Sequence, residues 1–322
     1  MKILVTGGAG FIGSNVVDGY INEGHEVVII DNLSTGKMEN VNKKAKFYLM
    51  DLCSKECSKV FEIERPDVVN HHGAQISVPA SVDNPMFDAN INILGFLNIM
   101  QLSVKFGVKK FIFISSGGAV YGEAGDTPAS ESAPTTPLSP YAITKLSAEY
   151  YLNFYRHQYG LNYTVLRYAN VFGQRQTPYA EAGVVAIFME KLIAGIVPVI
   201  YSFPDEPDGM IRDYCYVKDV VRANLMALTE GAGHVINIGT SVETTTGELY
   251  RTILECAREK GFAKEDKFSV PTKGPARPGD LRKSTMDISK AESVLSLKPL
   301  YSLKSGLSET FDFYMGKQYP KL

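Results

Sequence analysis

Apolar runs of strand length alternate with helical patterns through the first half of the chain. The runs that predict strands are Ile3–Thr6, Val27–Ile30, Phe47–Met50, Val68–Asn70, Phe111–Ser115 and Tyr163–Arg167. The stretches that predict helices are Ile12–Asn22, Asp88–Phe106 and Tyr141–Tyr159. Nearly continuous β-branched runs between helices are typical of a buried parallel sheet with right-handed crossovers. The pattern therefore predicts an α/β fold on a Rossmann-type doubly wound parallel sheet.

The alternation of strand-like and helical stretches becomes irregular after about Arg167, where prolines interrupt the pattern. Further along the chain, 271–278 is predicted to be a Pro/Gly-rich loop. We expect a smaller mixed α/β C-terminal substrate lobe to begin there. Tyr216–Leu228 and His234–Gly239 then predict another helix and strand. The expected division is a first domain at 1–168, joined again by 214–240, and a second lobe formed by 169–213 and 241–322.

A glycine loop joins the first strand to the first helix, in the sequence Gly7-Gly8-Ala9-Gly10-Phe11-Ile12-Gly13. Glycines at these positions let a tight turn and a close approach form, and a helix N-terminus that follows a strand can bind a pyrophosphate. Asp31 ends the second strand, where its carboxylate can accept hydrogen bonds from a ribose diol and would repel a 2′-phosphate. The loop and Asp31 together predict a site for NAD rather than NADP, although Lys37 lies nearby.

Two further segments follow strands of the predicted sheet. Asp51-Leu52 comes just past the third strand, where it could meet the adenine or could form a plain turn. Ser115-Ser116 closes the fifth strand at the carboxyl edge, where open α/β sheets bind ligands. Either serine could hydrogen-bond a reacting oxygen, and either could be a strand-end cap.

Tyr141 and Lys145 are four residues apart and so share one face of a predicted helix. A nearby ammonium favours the phenolate and would lower a tyrosine pKa that is ordinarily about 10. A phenol tuned in this way can act as a base near neutral pH. Combined with the dinucleotide site, this pair predicts redox chemistry on an alcohol.

Composition narrows the class of partner. The chain has 322 residues with 33 basic and 35 acidic side chains, a formal net charge of −2 that gives no attraction to nucleic acid or an anionic membrane surface. No apolar run approaches the roughly 18 residues that span a bilayer. The apolar start leads into the glycine loop, so we expect a cytoplasmic protein. Four cysteines and five histidines lack metal-ligand spacing, so we expect reduced thiols and no metal.

The ordered motifs resemble those of the extended short-chain dehydrogenase/reductase family, within it the UDP-glucose (UDP-galactose) 4-epimerase type. The motifs that carry the resemblance are Thr6–Gly13, Asp31-Asn32-Leu33, Ser115–Gly122, Tyr141–Lys145, Leu166–Gly173, Arg212–Tyr214 and Gly279-Asp280. They span nearly the whole chain. The resemblance identifies 1–168 as an NAD-binding domain and 169–213 with 241–322 as a nucleotide-sugar-binding lobe.

The resemblance implies an NAD that is reduced and reoxidised within one turnover of a UDP-hexose, through a transient 4-keto sugar. Tyr141 would be the base, Lys145 would lower its pKa and bind the nicotinamide ribose, and Ser116 would hold the 4-oxygen. Further residues that the family places at the cofactor are Gly7, Gly10, Phe11, Ile12, Gly13, Asp31, Asn32, Asp51, Leu52, Asn92 and Ser115. Those that it places at the substrate are Ser116, Asn170, Arg212, Arg277, Asp280 and Ser284.

Three departures bear on this comparison. Gly117-Gly118-Ala119 stands where related dehydratases and decarboxylases carry an acidic side chain. The same loop is one residue longer than in some epimerases. Because of this extra residue, Ser115 and Ser116 both stay candidates for the catalytic serine, with the register favouring Ser116. The segment 201–210 replaces a shorter turn and could reshape the nucleotide pocket. Ser284 stands where the family uses bulk to screen the sugar C2 substituent, which leaves room for an N-acetyl group.

Other enzymes of the same family stay open as alternatives, namely a UDP-uronate 4-epimerase or a nucleotide-sugar reductase. A non-catalytic NAD-binding scaffold is a further alternative, but such a protein could dispense with the Tyr141 and Lys145 pair. The family resemblance also implies a homodimer formed through helices. Apolar positions that could form this contact, or could equally be core, are Ile93, Leu97, Met100, Tyr150 and Phe154.

Overall fold

The structure is a computed structural model that describes residues 1–123, 125, 128–178, 183–277 and 279–318. Its strands are β1 (Lys2–Thr6), β2 (Glu26–Asp31), β3 (Lys46–Leu49), β4 (Val68–His71), β5 (Lys110–Ser116), β6 (Tyr163–Tyr168), β7 (Asn170–Phe172), β8 (Val199–Ser202), β9 (Ile211–Arg212), β10 (Tyr214–Tyr216), β11 (His234–Ile238), β12 (Thr244–Thr245), β13 (Thr272–Pro275) and β14 (Lys283–Ser284). Its α-helices are α1 (Phe11–Asn22), α2 (Cys57–Glu64), α3 (Val78–Asp83), α4 (Pro85–Ala89), α5 (Phe96–Lys105), α6 (Gly117–Val120), α7 (Pro140–Tyr159), α8 (Val184–Ile193), α9 (Val217–Ala227), α10 (Thr246–Glu259), α11 (Ser289–Leu295) and α12 (Leu303–Gln318). Short 3₁₀ turns lie at Met38–Asn40 and Asp266–Ser269, and a π-helical stretch covers Asn90–Gly95.

Parallel strands form the central sheet in the spatial order β11-β6-β5-β4-β1-β2-β3. The connection order reverses between β1 and β4, and a crevice forms at the carboxyl ends of strands at such a reversal. The predicted doubly wound parallel sheet is confirmed.

Helices cover both faces of this sheet, which explains the continuous apolar strands. Val17 of α1 packs with Val5 of β1 on one face, where α9 and α11 also contribute to the core. Leu4 of β1 packs with Phe61 of α2 on the other face, together with α5 and α7. Successive residues of β1 therefore point into two different apolar layers.

The segment 214–240 returns to the sheet. Strand β11 pairs with β6 at one edge, in the register Ile236↔Leu166. Helix α11 lies within the stretch 241–322 that the sequence assigns to the second lobe, yet its Ala291 and Leu295 pack into the sheet core. The apolar face of α11 is thus buried beside β11, and the division into two lobes stays a prediction.

A separate apolar core joins α8, α10 and α12. Phe188, Leu249 and Phe311 from these helices are buried in it, and Phe11 of the glycine loop reaches it from the first domain. Small sheets pair β8 with β13 and place β9 between β12 and β14, so that Arg212 and Ser284 are direct neighbours.

The single helix predicted over Asp88–Phe106 is wrong in one respect. Helix α4 ends at Ala89, the π-helical stretch follows, and α5 begins at Phe96. Asn92, inside that stretch, hydrogen-bonds both the backbone N–H and the backbone carbonyl of Gln75. Contacts with a distant loop therefore accompany the change of pitch, and π-helical turns often occur at functional sites.

The apolar positions left open between a dimer contact and the core differ in burial. Met100 is fully buried in the core under α5, and Leu97 packs against that core. Tyr150 and Phe154 of α7 are exposed, as is Leu94 of the π-helical stretch. Periodicity alone could not separate the two faces of this helix, because both carry apolar residues.

Candidate active site

A cavity of about 610 Å³ opens at the carboxyl ends of the sheet strands. It lies at the strand-order reversal, where the segments after β1, β2, β3, β4, β5 and β6 meet. The predicted site residues that line it are Gly7, Gly10, Phe11, Ile12, Gly13, Asp31, Asn32, Asp51, Leu52, Ser115, Ser116, Tyr141, Lys145 and Asn170. Residues up to 163 positions apart in the sequence, Gly7 and Asn170, thus line one cavity.

The glycine loop is packed so closely that side chains are excluded from it. Gly7 has φ +67°, a conformation that favours glycine, and Gly10 N–H donates to the Gly7 carbonyl at 3.1 Å. A Cβ on Gly13 would lie 2.2 Å from the Gly7 carbonyl oxygen. Helix α1 begins at Phe11, so its first-turn N–H groups lie beside the cavity. This cradle fits a pyrophosphate.

Asp31 is almost fully buried at the end of β2. Its two carboxylate oxygens accept hydrogen bonds from the backbone N–H groups of Ala9 and Leu33, at 3.0 and 2.8 Å. These bonds fix the carboxylate while leaving lone pairs for a diol. Asn32 donates to Asp51 at 2.9 Å, which joins the ends of β2 and β3 at the same wall. The cradle and the carboxylate together fit NAD.

Ser116, Tyr141 and Lys145 line the same cavity. Helix α7 begins at Pro140, and the Ser139 hydroxyl caps it by accepting a hydrogen bond from Ala142 N–H at 3.2 Å. This start places Tyr141 in the first turn, where it is hydrogen-bonded to Ser116. Lys145 Nζ donates to the Ile114 carbonyl at 3.0 Å, which holds α7 against the end of β5.

The pKa of Tyr141 differs from the expectation that Lys145 lowers it. Burial raises the pKa of Tyr141 to about 12, the Ser116 hydrogen bond opposes this rise, and the Asp88 carboxylate adds to it. Lys145 Nζ lies 5.9 Å from the Tyr141 ring centre. Burial also lowers the pKa of Lys145 to about 8, while Asp88 and Glu149 act to raise it. In the chain by itself, desolvation of the phenolate outweighs the ammonium.

The structure separates the two candidate serines. Ser115 and Ser116 are successive strand residues and face opposite sides of β5. The Ser115 hydroxyl donates to Glu149 Oε1 at 2.6 Å, inside the protein. Ser116 is the one that reaches Tyr141.

Asn92 lies behind the cavity wall rather than in it. Its side chain accepts a hydrogen bond from Gln75 N–H at 2.9 Å and donates to the Gln75 carbonyl at 3.0 Å and to Asp88 at 3.1 Å. Gln75 itself lines the cavity. Asn92 thus supports the loop after β4, and its predicted role at the cofactor stays a prediction.

The predicted substrate residues of the second lobe, Asn170 apart, lie outside the cavity lining. The Arg212 guanidinium donates to the backbone carbonyls of Ile211 and Leu281, at 2.8 and 2.7 Å. Arg277 lies over the Tyr201 ring at 4.1 Å, and its N–H donates to Asp280 at 2.8 Å. The structure therefore gathers these residues near one another without directing them into the cavity.

Ser284 is buried against the loop that follows β5. Its hydroxyl oxygen lies 3.2 Å from where a Cβ on Gly118 would be. A Cβ on Gly117 would lie 1.8 Å from the sulfur of Met286. The glycines of this loop thus let β14 approach the segment that follows Ser116.

The 201–210 segment contacts the side chain of Arg282. Arg282 lies over the Phe203 ring at 4.1 Å and forms ion pairs with Asp205 and Glu206, at 3.1 and 3.0 Å. These pairs are exposed and contribute little stability. The expectation that this segment reshapes a nucleotide pocket stays a prediction.

Sequence reasoning missed several residues of the wall. Gln75, Tyr168 and Gln176 line the cavity. Gln176 is buried, and its Oε1 has no hydrogen-bond partner among the described residues. The position of Gln75 just past β4 was a usable signal, because loops at the carboxyl edge of a parallel sheet bind ligands. Gln176 carries no comparable signal in the sequence.

Metal-ligand clusters, disulfides and membrane-spanning helices are absent from the described ranges. No group of three or more His, Cys, Asp or Glu side chains there is placed to hold a metal ion. All four cysteines are free. No helix in the same ranges is long and apolar enough to cross a membrane.

Comparison with known proteins agrees with this geometry. A sequence model of the NAD dependent epimerase/dehydratase family matches residues 3–239. The chain is 42% identical to a UDP-glucose 4-epimerase of Mycolicibacterium smegmatis, over 98% of this chain and 99% of that protein.

Two crystal structures are similar over nearly their whole length. A UDP-glucose 4-epimerase of Thermotoga maritima with UDP-glucose has a TM-score of 0.92 and 47% identity, covering 99% of this chain and 100% of that one. A UDP-glucose 4-epimerase of Thermus thermophilus in complex with NAD has a TM-score of 0.90 and 40% identity, covering 98% and 99%.

Proposed function

This chain belongs to the NAD-dependent epimerase/dehydratase family, and from that premise we propose that it interconverts UDP-glucose and UDP-galactose by inverting C4. It is an isomerase of the UDP-glucose 4-epimerase type, and its cofactor is NAD. The observation that carries the substrate proposal is the joint placement of Ser116, Tyr141 and Lys145 in the wall of the cavity that also contains the glycine loop and Asp31. A phenol and a hydroxyl beside a dinucleotide cradle are suited to a sugar alcohol.

The residues divide the work of this reaction. Ser116 holds the 4-oxygen of the sugar, and Tyr141 accepts the proton of the 4-hydroxyl and later returns it. Lys145 supplies the fixed positive charge beside the phenol and binds the nicotinamide ribose. The glycine loop and Asp31 would hold NAD, which would supply a hydride acceptor and donor for C4, and inversion would require the sugar to present its other face before the hydride returned.

The loop after Ser116 supports epimerisation over dehydration or decarboxylation. Those reactions need an acidic side chain where this chain has Gly117-Gly118-Ala119. Met286 already occupies the space beside Gly117, where a Cβ would lie 1.8 Å from its sulfur. A side chain at 117 would therefore have to displace the Met286 side chain.

A neutral hexose suits the cavity better than a uronic acid. Among the described residues that line the cavity, Lys145 is the one lysine or arginine. Its Nζ already donates to the Ile114 carbonyl, and the proposed reaction requires its charge beside Tyr141. A sugar carboxylate would find no second cation in that lining.

The test is a panel of nucleotide sugars, without added NADH, with the C4 configuration read by NMR. We expect UDP-glucose and UDP-galactose to reach the same mixture from either side. A nucleotide-sugar reductase would instead consume NADH stoichiometrically, and conversion of UDP-glucuronate alone would identify a uronate epimerase. A scaffold would bind NAD and convert none of the sugars.

The substrate range extends to N-acetylhexosamines, as UDP-GlcNAc and UDP-GalNAc. Support comes from Ser284, a small side chain that lies against the loop after Ser116. Ser284→Tyr adds bulk there, so we expect it to lower kcat/KM for UDP-GlcNAc by about 10–200-fold while UDP-glucose changes little. Wild-type protein that turns over UDP-glucose but not UDP-GlcNAc would contradict the extension.

The enzyme acts as a homodimer in the cytoplasm. The support for a dimer is an apolar helical face on neighbouring elements, formed by the exposed side chains of Phe87, Leu94, Ile143, Tyr150 and Phe154. Exposed apolar side chains grouped on packed helices are typical of subunit contacts. The free cysteines and the NAD-dependent reaction fit a reducing compartment.

A further inference from the structure

A buried ion pair lies directly behind the proposed catalytic residues. Glu149 follows Lys145 by one helical turn and Tyr141 by two on α7, so the three share a face. Arg167 of β6 donates to both Glu149 oxygens, from Nε at 3.0 Å and from Nη2 at 2.6 Å. The side chains of both residues are 6% exposed.

The pair is bonded to both ends of the segment that carries Ser116. On one side, the Ser115 hydroxyl donates to Glu149 Oε1 at 2.6 Å. On the other, Arg167 Nη1 donates to the Tyr121 hydroxyl at 2.7 Å, and the guanidinium lies over the Tyr121 ring at 4.8 Å. The Tyr121 hydroxyl in turn donates to Asn237 Oδ1 of β11 at 2.8 Å. Ser116 thus lies between two anchors of one network.

Stability alone does not account for this pair. Removing two charges from water costs about as much as their attraction returns, so apolar residues of the same volume could replace the pair with little loss of stability. A fully bonded network does, however, fix one arrangement of its side chains. Here that arrangement sets the distance between α7 and the end of β5.

Building on the proposed function, we propose that Glu149 and Arg167 are positioning residues, which hold Ser116 in register with Tyr141 and Lys145 for C4 chemistry. Neither residue lines the cavity. Their effect on the reaction passes through Ser115, Tyr121 and the α7 face. They act on turnover and not on the binding of nucleotide sugar.

The network also sets a charge near Lys145. The charged and titratable groups that face this ammonium are Glu149 and Tyr141 on α7, Asp88 on α4, His71 on β4 and His72 just after it. Glu149 and Asp88 raise the pKa of Lys145 against the lowering by burial. Removing the Glu149 charge lowers this pKa, so Lys145 loses its proton at a lower pH. The alkaline limb of the activity profile then moves to lower pH.

The decisive variant is Glu149→Gln, which keeps the side-chain shape and removes the charge. We expect kcat to fall by about 10–100-fold, KM to stay within about twofold, and the alkaline limb of the kcat profile to move to lower pH. The matched control is Glu64→Gln. Glu64 is another buried carboxylate in a network with Lys2, Lys46 and Tyr48, but it lies at the amino edge of the sheet. The Glu64→Gln variant should have lower thermal stability than the wild type, with an unchanged kcat and an unchanged pH profile.

Ser115→Ala covers the case in which Glu149→Gln does not fold. It removes one anchor and leaves the ion pair, so we expect kcat to fall several-fold with an unchanged pH profile. Wild-type kcat in both Glu149→Gln and Ser115→Ala would overturn the inference, as would equal effects of Glu149→Gln and Glu64→Gln.

A wild-type protein inactive on every UDP-hexose would overturn the proposed function instead. In that event a crystal structure of Glu149→Gln tests the positioning directly. Loss of the Ser116–Tyr141 hydrogen bond supports it, and an unchanged Ser116 overturns it.

Discussion

At the level of single residues, Tyr141 is subject to two opposing effects. Burial raises the pKa of its phenol to about 12, while proton abstraction near neutral pH needs a lower value. Ser116 already stabilises the phenolate by a hydrogen bond. A positive nicotinamide ring beside the phenol is the further charge that the mechanism requires. In the proposed mechanism, bound NAD would therefore have to add its positive charge to the effect of Ser116 on the phenol.

Tyr141→Phe tests this role. Loss of the hydroxyl removes proton transfer, which is worth about 10²–10⁴-fold, so we expect turnover to fall by that factor while NAD stays bound. The measurement is C4 inversion by NMR together with the NAD content of the purified protein. Tyr159→Phe, an exposed position at the end of the same helix, is the control and should keep wild-type turnover. Retention of a tenth or more of the activity in Tyr141→Phe would exclude it as the base.

Asp31→Asn tests cofactor choice. The variant loses the negative charge and turns an amide N–H toward the backbone N–H of Ala9 or Leu33. A lost hydrogen bond to a charged group costs about 1.5–3 kcal/mol. We therefore expect NAD binding to weaken by about 10–100-fold. Discrimination against NADP should fall as well. Calorimetric titration with both cofactors measures this. Asp67→Asn is the control, since Asp67 also accepts a backbone N–H, from Lys2, but at the opposite edge of the sheet. Equal affinities in wild type and Asp31→Asn would refute the assignment.

Among the secondary-structure elements, the β1–α1 turn and the π-helical stretch show different degrees of predictability. The turn is largely determined by local sequence, because Gly7 has a positive φ and a Cβ on Gly10 or Gly13 would meet the Gly7 carbonyl, although a Cβ on Gly7 would also meet Gly73 of a distant loop. The π-helical stretch is not, because Asn92 is held by Gln75 and Asp88 through tertiary contacts. The sequence pattern accordingly predicts the turn, but it predicts one continuous helix where the π-helical stretch lies.

Gly13→Ala tests the turn. Its Cβ would lie 2.2 Å from the Gly7 carbonyl oxygen, so α1 must move away from β1. We expect an overpacking cost of about 1–3 kcal/mol in the free energy of unfolding, together with loss of bound NAD. Thermal unfolding and NAD content measure the two effects. Gly316→Ala in α12, where a Cβ meets nothing within 4 Å, should be neutral or slightly stabilising. A wild-type melting temperature with full NAD in Gly13→Ala would show that the close approach is not needed.

For the molecule as a whole, chain connectivity places the site between two cores. The segment containing α9 and β11 completes the sheet after the chain has formed α8 and the strands β7 to β10, which lie outside that sheet. Phe11 of the glycine loop packs into the core formed by α8, α10 and α12. The glycine loop therefore shares Phe11 with the core formed by α8, α10 and α12.

The apolar helical face predicts the oligomeric state. Tyr150→Asp places a charge at its centre, so a dimer should dissociate toward a single chain because an unpaired charge is costly to bury. Size-exclusion chromatography with light scattering should give twice 35.4 kDa for the wild type and a lower mass for the variant. Val270→Asp, an exposed apolar position on the second lobe, should leave the mass unchanged. A wild-type mass of one chain would remove the dimer proposal.

The sequence by itself determined the features that rest on neighbours along the chain. These are the strand and helix order, the glycine turn, the acid that ends β2, and the shared face of Tyr141 and Lys145. Each follows from steric or periodic rules that act within a few residues.

Only the tertiary structure decided which serine meets Tyr141, that Asn92 supports the wall from behind, and that Glu149 and Arg167 are bonded to both sides of Ser116. It also decided that Met100 is core and that Arg212 is held by backbone carbonyls. These outcomes depend on which of several polar or apolar neighbours a side chain meets across distant elements. Local rules leave that choice open, and it is made when buried polar groups find their partners as the layers pack.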